Sequence, residues 1–146
     1  MKVAIGSDHA GLALKQRILA HLSQQGIDLY DAGPAEGEST DYPICAQRVT
    51  EAVTAGTCTR GILVCGTGIG MSIAANKVVG IRAALCGDTF SARMTRLHND
   101  ANVLCLGERV VGYGLALDIV DLFLTTPFEG GRHQTRIDMM AKLLRE

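Results

Sequence analysis

Short apolar runs alternate with longer amphipathic stretches along this 146-residue chain. The apolar runs predict five strands, at residues 2–6, 27–30, 62–64, 81–86 and 102–106. The third run, Ile62-Leu63-Val64, contains no polar residue, which is typical of a strand buried on both faces. We therefore expect a sheet whose two faces are both covered.

The segments between the predicted strands show the periodicity of α-helices. Apolar residues recur at spacings of three or four, which predicts helices that bury one face. The residues expected to point inward are Leu14, Ile18, Leu22, Cys45, Val49, Val53, Phe90, Met94, Leu97, Leu115, Ile119, Leu122, Ile137, Met140 and Leu144. A short helix is also expected at residues 71–76, and the last helix is expected at residues 132–145.

The alternation of strand and helix predicts an α/β fold in one domain, residues 1–146. We expect a three-layer, Rossmann-like arrangement with a five-stranded parallel sheet and helices on both faces. Ligands of such sheets bind beyond the carboxyl ends of the strands. The turns expected at this edge are residues 7–11, 65–70, 87–88 and 107–109. His98 ends the fourth helix, which places it at the opposite edge unless a partner chain brings it back.

Charge and cysteine content narrow the class of protein. The chain has 14 Lys and Arg against 15 Asp and Glu, which gives no reason to propose nucleic acid or an acidic membrane as a partner. No apolar run approaches a membrane span, and the apolar start is too short for a signal peptide. We expect a soluble cytoplasmic protein. Its five cysteines form no Cys-x-x-Cys pair, which favours reduced thiols over disulfides or a zinc site.

Residues 60–78 carry the strongest chemical signal. Cys65 lies where the third strand ends, and Gly66, Gly68 and Gly70 follow it. Glycines let consecutive N–H groups turn toward one ligand and let that ligand approach closely. Anions are stabilised there, and the pKa of a cysteine in such a place can fall well below about 8.5. Our hypothesis is that Cys65 is a base or nucleophile facing an anion, and the alternative is an ordinary buried cysteine.

Three better-known loops differ from this one. The spacing Gly-x-Gly-x-Gly does not match the Gly-x-Gly-x-x-Gly of dinucleotide-binding loops. Gly70 is followed by Met71, whereas a Walker A loop has Lys-Ser/Thr after its last glycine. Cysteine-dependent phosphatases have an Arg at the position of Met71, so thiol phosphatase chemistry is disfavoured.

Two histidine-containing segments each have a functional and a structural interpretation. Asp8-His9 follows the first strand, where it suits hydrogen bonding to hydroxyls or phosphate; alternatively, Asp8 caps a helix. His98, in His98-Asn99-Asp100, suits a general acid or base because histidine titrates near neutrality. Alternatively, its charge favours a helix C-terminus.

Arg132, His133 and Arg136 are the best candidates for an anion site. They follow Gly130-Gly131 at an expected helix N-terminus, and the two arginines are four residues apart, on one helical face. Arginine offers a planar fork for phosphate oxygens. The alternative is a solvated basic face. Arg109 is a weaker candidate.

Taken together, these residues resemble the type B ribose-5-phosphate isomerases and related sugar-phosphate isomerases, over nearly the whole chain. The segments that carry the resemblance are Gly6-Ser7-Asp8-His9-Ala10-Gly11, Thr40-Asp41-Tyr42-Pro43, residues 61–77, Gly80-Ile81-Arg82-Ala83-Ala84, residues 98–104 and Glu129-Gly130-Gly131-Arg132-His133. That family interconverts an aldose phosphate and a ketose phosphate, typically ribose 5-phosphate and ribulose 5-phosphate. It uses no metal or organic cofactor, so the resemblance implies neither for this chain.

The resemblance also implies roles for individual residues. Cys65 is implied as the base that moves a proton between C2 and C1, with Thr67 assisting. His98 is implied as the group that opens the furanose ring, with help from Asp8. The main-chain amides implied to hold the enediolate belong to Gly66, Gly68, Ile69, Gly70, Met71 and Ser72. The implied phosphate binders are His9, Arg109, Arg132, His133 and Arg136, and the implied substrate contacts are Tyr42 and Asn99.

The family forms homodimers, some paired into tetramers, whose active sites are shared between two chains. That arrangement would bring His98 back to the site. Some relatives use a carboxylate as the base, and Cys65 favours the thiol branch. Two alternatives stay open: an isomerase of a six-carbon sugar phosphate, such as allose or galactose 6-phosphate, and a non-catalytic sugar-phosphate-binding module.

Overall fold

A computed structural model describes residues 1–143 of the chain, with five strands and six α-helices. In chain order these are β1 (Lys2–Ser7), α1 (Leu12–Gln24), β2 (Asp28–Asp31), α2 (Tyr42–Thr54), β3 (Arg60–Cys65), α3 (Ile69–Ala75), β4 (Ala83–Leu85), α4 (Thr89–Asn99), β5 (Val103–Gly107), α5 (Tyr113–Thr125) and α6 (Arg132–Ala141). A single turn of 3-10 helix, His9–Gly11, precedes α1. The part of the last predicted helix that contains Leu144 lies outside the described residues.

All five strands pair in parallel, in the order β2-β1-β3-β5-β4. An apolar core lies on each face of the sheet. Helices α1, α4 and α5 contribute to one core, and α2 and α3 contribute to the other. The predicted three-layer α/β fold with a five-stranded parallel sheet is therefore confirmed.

The central strand β3 distributes its side chains between the two cores. Ile62 and Val64 belong to the core with α1 and α5, whereas Leu63 and Cys65 belong to the core with α2 and α3. Gly61 to Cys65 are all buried, as the unbroken apolar run predicted. The alternation places the Cys65 side chain on the α3 face of the sheet, at the carboxyl end of the strand.

Several residues that the helical spacing predicted to be inward are exposed in this chain. Phe90, Leu115 and Met140 expose 66%, 40% and 43% of their surface, and Met94, Leu97 and Leu122 are half-buried. In α4 the buried residues are Ala92 and Arg96 instead. Arg96 is buried without an unpaired charge because its guanidinium donates to Asp100 Oδ1 at 2.8 Å and to the carbonyl of Ala101. The prediction for α4 was wrong because a paired arginine took the inward position.

Two element boundaries differ from the predictions in ways that affect the site. Helix α3 begins at Ile69 rather than at residue 71. Strand β4 is limited to Ala83–Leu85, inside the predicted 81–86. Within residues 1–143, no helix has both the length and the apolar character needed to cross a bilayer.

Candidate active site

The turn after β3 brings a main-chain N–H to the thiol of Cys65. The Sγ atom accepts a hydrogen bond from the Gly68 N–H at 3.1 Å, and the residue keeps 6% of its surface exposed. Gly68 has φ +78°, and a Cβ there would lie 2.5 Å from Leu85 Cδ1 and 2.9 Å from the carbonyl carbon of Leu106. Only glycine fits this conformation and this space, so the turn depends on it.

The other four cysteines are buried thiols with raised pKa values. Burial raises the pKa of Cys45, Cys58 and Cys105 above its ordinary value, and it raises the pKa of Cys86 to about 11. These four side chains therefore stay protonated near neutrality and are poor bases or nucleophiles. Among the five thiols, Cys65 is distinguished by its N–H partner and its place at the strand end.

The first turn of α3 leaves two N–H groups open beside this thiol. The first N–H groups of a helix have no intrahelical partner. Here Gly68 donates to the sulfur and Ile69 donates to Thr67 Oγ1 at 3.3 Å. The N–H groups of Gly70 and Met71 remain for a ligand oxygen. Ser72 departs from the prediction, because its N–H donates to the carbonyl of Gly68 at 3.0 Å.

The turn after β1 lies against the end of β3. Asp8 donates its N–H to the carbonyl of Val64 at 3.2 Å, and a Cβ on Gly11 would lie 2.5 Å from that same oxygen. Asp8 Oδ1 accepts from the N–H groups of Ala10 and Gly11 at 2.9 and 3.1 Å. One carboxylate oxygen of Asp8 therefore caps the helical turn, as the structural alternative predicted. His9 is exposed at the same edge.

The turn after β5 holds Arg109 beside the Cys65 turn. The N–H groups of Glu108 and Arg109 donate to the carbonyls of Cys65 and Gly66 at 2.9 and 3.0 Å. A Cβ on Gly66 would lie 3.6 Å from Arg109 Nη1. The ring of Tyr42 approaches from α2, since a Cβ on Gly70 would lie 2.9 Å from Tyr42 Cε2. Arg109, the weaker candidate, therefore lies at the carboxyl edge of the sheet in one cluster with Cys65, Asp8, His9 and Tyr42.

A second cluster lies at the other edge of the sheet. His98 of α4 stacks on His133 of α6, with ring centroids 4.2 Å apart and planes 12° from parallel. Glu129 Oε2 lies 3.3 Å from His133 Nε2 and 3.9 Å from His98 Nε2. Arg132 and Arg136 are exposed on the same helix as His133. Glu129 opens the segment Glu129-Gly130-Gly131-Arg132-His133, and the sequence alone predicts no role for it.

The two clusters are separated by the length of the central strands. Cys65 pairs with Gly107 at the carboxyl end of β5, and Gly61 pairs with Val103 at its start. The four residue steps from Gly61 to Cys65 span about 13 Å. Asn99 lies at the start of β4, where its carbonyl accepts from Arg82 Nε at 3.0 Å. One chain therefore does not bring His98 and Asn99 to Cys65.

Comparisons with known proteins identify the family to which the chain belongs. The model of the Ribose/Galactose Isomerase family matches residues 3–140. The chain belongs to the ribose/galactose isomerase family. Ribose-5-phosphate isomerase B of Escherichia coli is 50% identical over 142 residues, which cover 97% of this chain and 95% of that protein. The putative sugar phosphate isomerase YwlF of Bacillus subtilis is 56% identical over 94% of this chain and 93% of its own length.

Solved structures of this family have the same fold. The ribose-5-phosphate isomerase B of Clostridium thermocellum superposes with a TM-score of 0.96 at 55% identity, covering 98% of this chain and 97% of that one. The Mycoplasma genitalium protein, determined with bound ribulose 5-phosphate, gives a TM-score of 0.93 at 44% identity, covering 97% and 95%. The resemblance to the type B isomerases that the sequence motifs predicted is confirmed.

Proposed function

We propose that this chain is an aldose–ketose isomerase that interconverts ribose 5-phosphate and ribulose 5-phosphate. Family membership over nearly the full length supports this reaction. The observation that carries the proposal is the thiol of Cys65, which accepts the Gly68 N–H beside the open N–H groups of Gly70 and Met71. A thiol and oriented amides are what proton transfer next to a carbonyl requires.

In the proposed mechanism, Cys65 transfers a proton between neighbouring sugar carbons. The thiolate takes the proton from C2 of the open-chain aldose, and the electron pair left behind forms the enediolate. The thiol, whose proton exchanges with solvent, then delivers a proton to C1, while the hydroxyl proton on O2 leaves and O1 is protonated, which yields the ketose. The hydrogen bond from the Gly68 N–H fixes the position of the sulfur beside the open N–H groups. A positioned general base typically raises the reaction rate about a hundred- to ten-thousand-fold.

Main-chain N–H groups stabilise the negative charge that develops on the enediolate oxygen. In this mechanism Gly70 and Met71 donate to that oxygen, and one such donor lowers the barrier by roughly 3–4 kcal/mol in well-studied enzymes. Thr67 holds the turn, because its hydroxyl accepts from the Ile69 N–H. The substrate's own carbonyl takes up the electrons, so we propose that neither a metal nor an organic cofactor takes part.

We further propose that two chains share each active site as a homodimer. The cradle, which consists of the Cys65 thiol and the N–H groups of Gly68, Gly70 and Met71, lies at the carboxyl end of β3. The second cluster, here called the His98 cluster, would open the furanose ring and lies toward the other edge of the sheet. Arg109 and His9 would bind phosphate together with Arg132, His133 and Arg136 of the other chain. The apolar side chains near the cradle are exposed, as an interface requires. Ile69, Ile73, Phe90 and Val110 expose 51%, 58%, 66% and 67% of their surface.

An apolar cleft beside the cradle is consistent with that interface. Its volume is about 280 Å³, and its walls include Thr67, Ile69, Leu85 and Val110. A second chain that filled it would border Thr67 at the entrance to the thiol. We also propose that residues 1–146 act as a single cytoplasmic domain, in keeping with a phosphorylated-sugar substrate and with free cysteines.

The test is turnover of ribose 5-phosphate together with proton exchange. We expect ketose formation from ribose 5-phosphate to exceed that from allose and galactose 6-phosphates in parallel assays. We expect Cys65→Ala to fold and bind the sugar phosphate but to lose exchange of the C2 proton with D₂O. Full exchange in that variant would contradict the thiol mechanism. Faster turnover of a six-carbon substrate would contradict the assignment to ribose 5-phosphate.

A further inference from the structure

The carboxylate of Glu129 faces both rings of the His98–His133 stack. Its Oε2 atom lies 3.3 Å from one Nε2 and 3.9 Å from the other. The main chain fixes this position, because the Glu129 N–H donates to the carbonyl of Leu97 at 3.1 Å. The segment before α6 is thereby fastened to the last turn of α4, immediately before His98.

The two stacked rings lie in different surroundings, and those of His133 oppose a positive charge on its ring. The His133 side chain is only 7% exposed, whereas the His98 side chain is 39% exposed. Burial lowers the pKa of His133, and so do the charges of His98, Arg132 and Arg136, against the opposing charge of Glu129. His98 lies in the last turn of α4 and is the more exposed ring of the two.

The stack is arranged for a proton rather than for a metal ion. The possible ligand atoms of His98, Glu129 and His133 all lie within 4.8 Å of one another. A metal ion bound to both rings must lie in the plane of each ring, because the nitrogen lone pairs point in the plane. The two planes are only 12° from parallel and are stacked, so their lone pairs do not converge on one point. A proton needs only one nitrogen.

We propose that Glu129 is a positioning residue for ring opening, whose negative carboxylate faces both stacked rings and fixes the ring of His98. This inference rests on the proposed isomerase function and extends it. When the furanose opens, the C1–O4 bond breaks and its electron pair stays on O4, which takes the proton of His98. The C1 hydroxyl releases its proton to water as the C1–O1 carbonyl forms, and His98 then regains a proton from solvent.

The two directions of the reaction separate this role from proton transfer between carbons. Ribose 5-phosphate must open its ring before it can react. Ribulose 5-phosphate is already open, because the oxygen that would close a five-membered ring carries the phosphate. Turnover of ribose 5-phosphate therefore depends on both steps, whereas exchange of the C1 protons of ribulose 5-phosphate with D₂O depends only on the cradle.

The experiment compares these two rates in Glu129→Gln. We expect kcat for ribose 5-phosphate to fall about fivefold, the effect of one unit charge at this ion-pair distance in a water-like dielectric. The loss should begin at lower pH than in the unchanged protein, because the stacked pair gives up its proton earlier. The rate of C1 proton exchange should stay within about twofold. Glu129→Asp, which keeps the charge, should restore part of the loss.

Asp138→Asn is the matched control, since it removes one carboxylate from α6 that contacts Gln134 rather than a histidine. It should leave both rates unchanged. Equal losses in turnover and exchange for Glu129→Gln, or no loss in either, would overturn the inference. Histidine titration by NMR gives a readout without turnover: the pair should protonate at lower pH in Glu129→Gln. An unchanged titration would also overturn it, whereas absent turnover in the unchanged protein would contradict only the proposed function.

Discussion

A mixture of two inactive variants tests whether the active site is shared between chains. Cys65→Ala removes the proposed base, and His98→Asn removes the proposed ring-opening group. Each variant alone has one defect in every site. If a site combines the cradle of one chain with the His98 cluster of its partner, a mixed dimer has one site with both defects and one site with none.

The structure sets the expected size of the recovery. The two ends of β3 lie about 13 Å apart, with Cys65 at the carboxyl end and the His98 cluster toward the other edge of the sheet, so one chain does not complete the site. Random exchange of subunits gives mixed dimers in about half of the population, and one of their two sites is intact. The mixture should therefore regain about a quarter of the unchanged activity, from a starting value near zero.

The assay is ketose formation from ribose 5-phosphate after mixing under mild denaturant and its removal, with native mass spectrometry to count mixed dimers. The control mixture combines Cys65→Ala with Arg109→Ala. Both changes lie on the cradle, since Arg109 is held at the Gly66 carbonyl, so no mixed dimer has an intact site. Mixed dimers without recovered activity would refute the shared site, and so would recovery in the control mixture.

Three further predictions concern the turn and the thiols. Gly68→Ala should lower the urea midpoint and the activity, because a φ of +78° is strained for alanine and the new Cβ would lie 2.5 Å from Leu85 Cδ1. Gly56→Ala is the control: its φ is +73° but the space is open, so it should cost only about 1–2 kcal/mol of stability and keep the activity. The free energy of unfolding should fall as pH rises from 9.0 toward about 11. Burial raises the pKa of Cys86 in the folded state to about 11, so in this window the folded state binds more protons than the unfolded state. Cys86→Ala should reduce the fall. Iodoacetamide at neutral pH should inactivate the enzyme with one adduct, on Cys65 by peptide mapping, because burial keeps the other four thiols protonated; early adducts elsewhere would contradict this.

The fold followed from the sequence because strands and helices leave distinct periodicities. The unbroken run at Ile62-Leu63-Val64 predicted a strand buried on both faces, and β3 is buried from Gly61 to Cys65. The inward face of α4 did not follow, since Phe90 is 66% exposed and Arg96 is buried. Hydrophobic spacing cannot identify a buried arginine whose partners, Asp100 and Ala101, lie beyond the helix end.

The candidate site could be predicted only in part for a related reason. The glycine pattern after Cys65 predicted main-chain donors, and the Gly68 N–H does reach the sulfur. The pattern did not reveal that Ser72 uses its own N–H within α3, because that depends on the helix starting at Ile69. Glu129 had no periodic signal, and its relation to the histidines appears only once α4 and α6 are packed together.

The paired main-chain hydrogen bonds that link the end of β5 to the end of β3 have a consequence for substrate length. Glu108 and Arg109 donate to the carbonyls of Cys65 and Gly66, so the backbone of Arg109 is held against the backbone of Cys65 and Gly66. The separation of these two backbone positions is set by the sheet and not by the substrate. In the proposed mechanism the phosphate lies at Arg109 and the reacting carbon at Cys65, and we expect this fixed backbone spacing to separate five-carbon from six-carbon substrates in kcat more than in affinity.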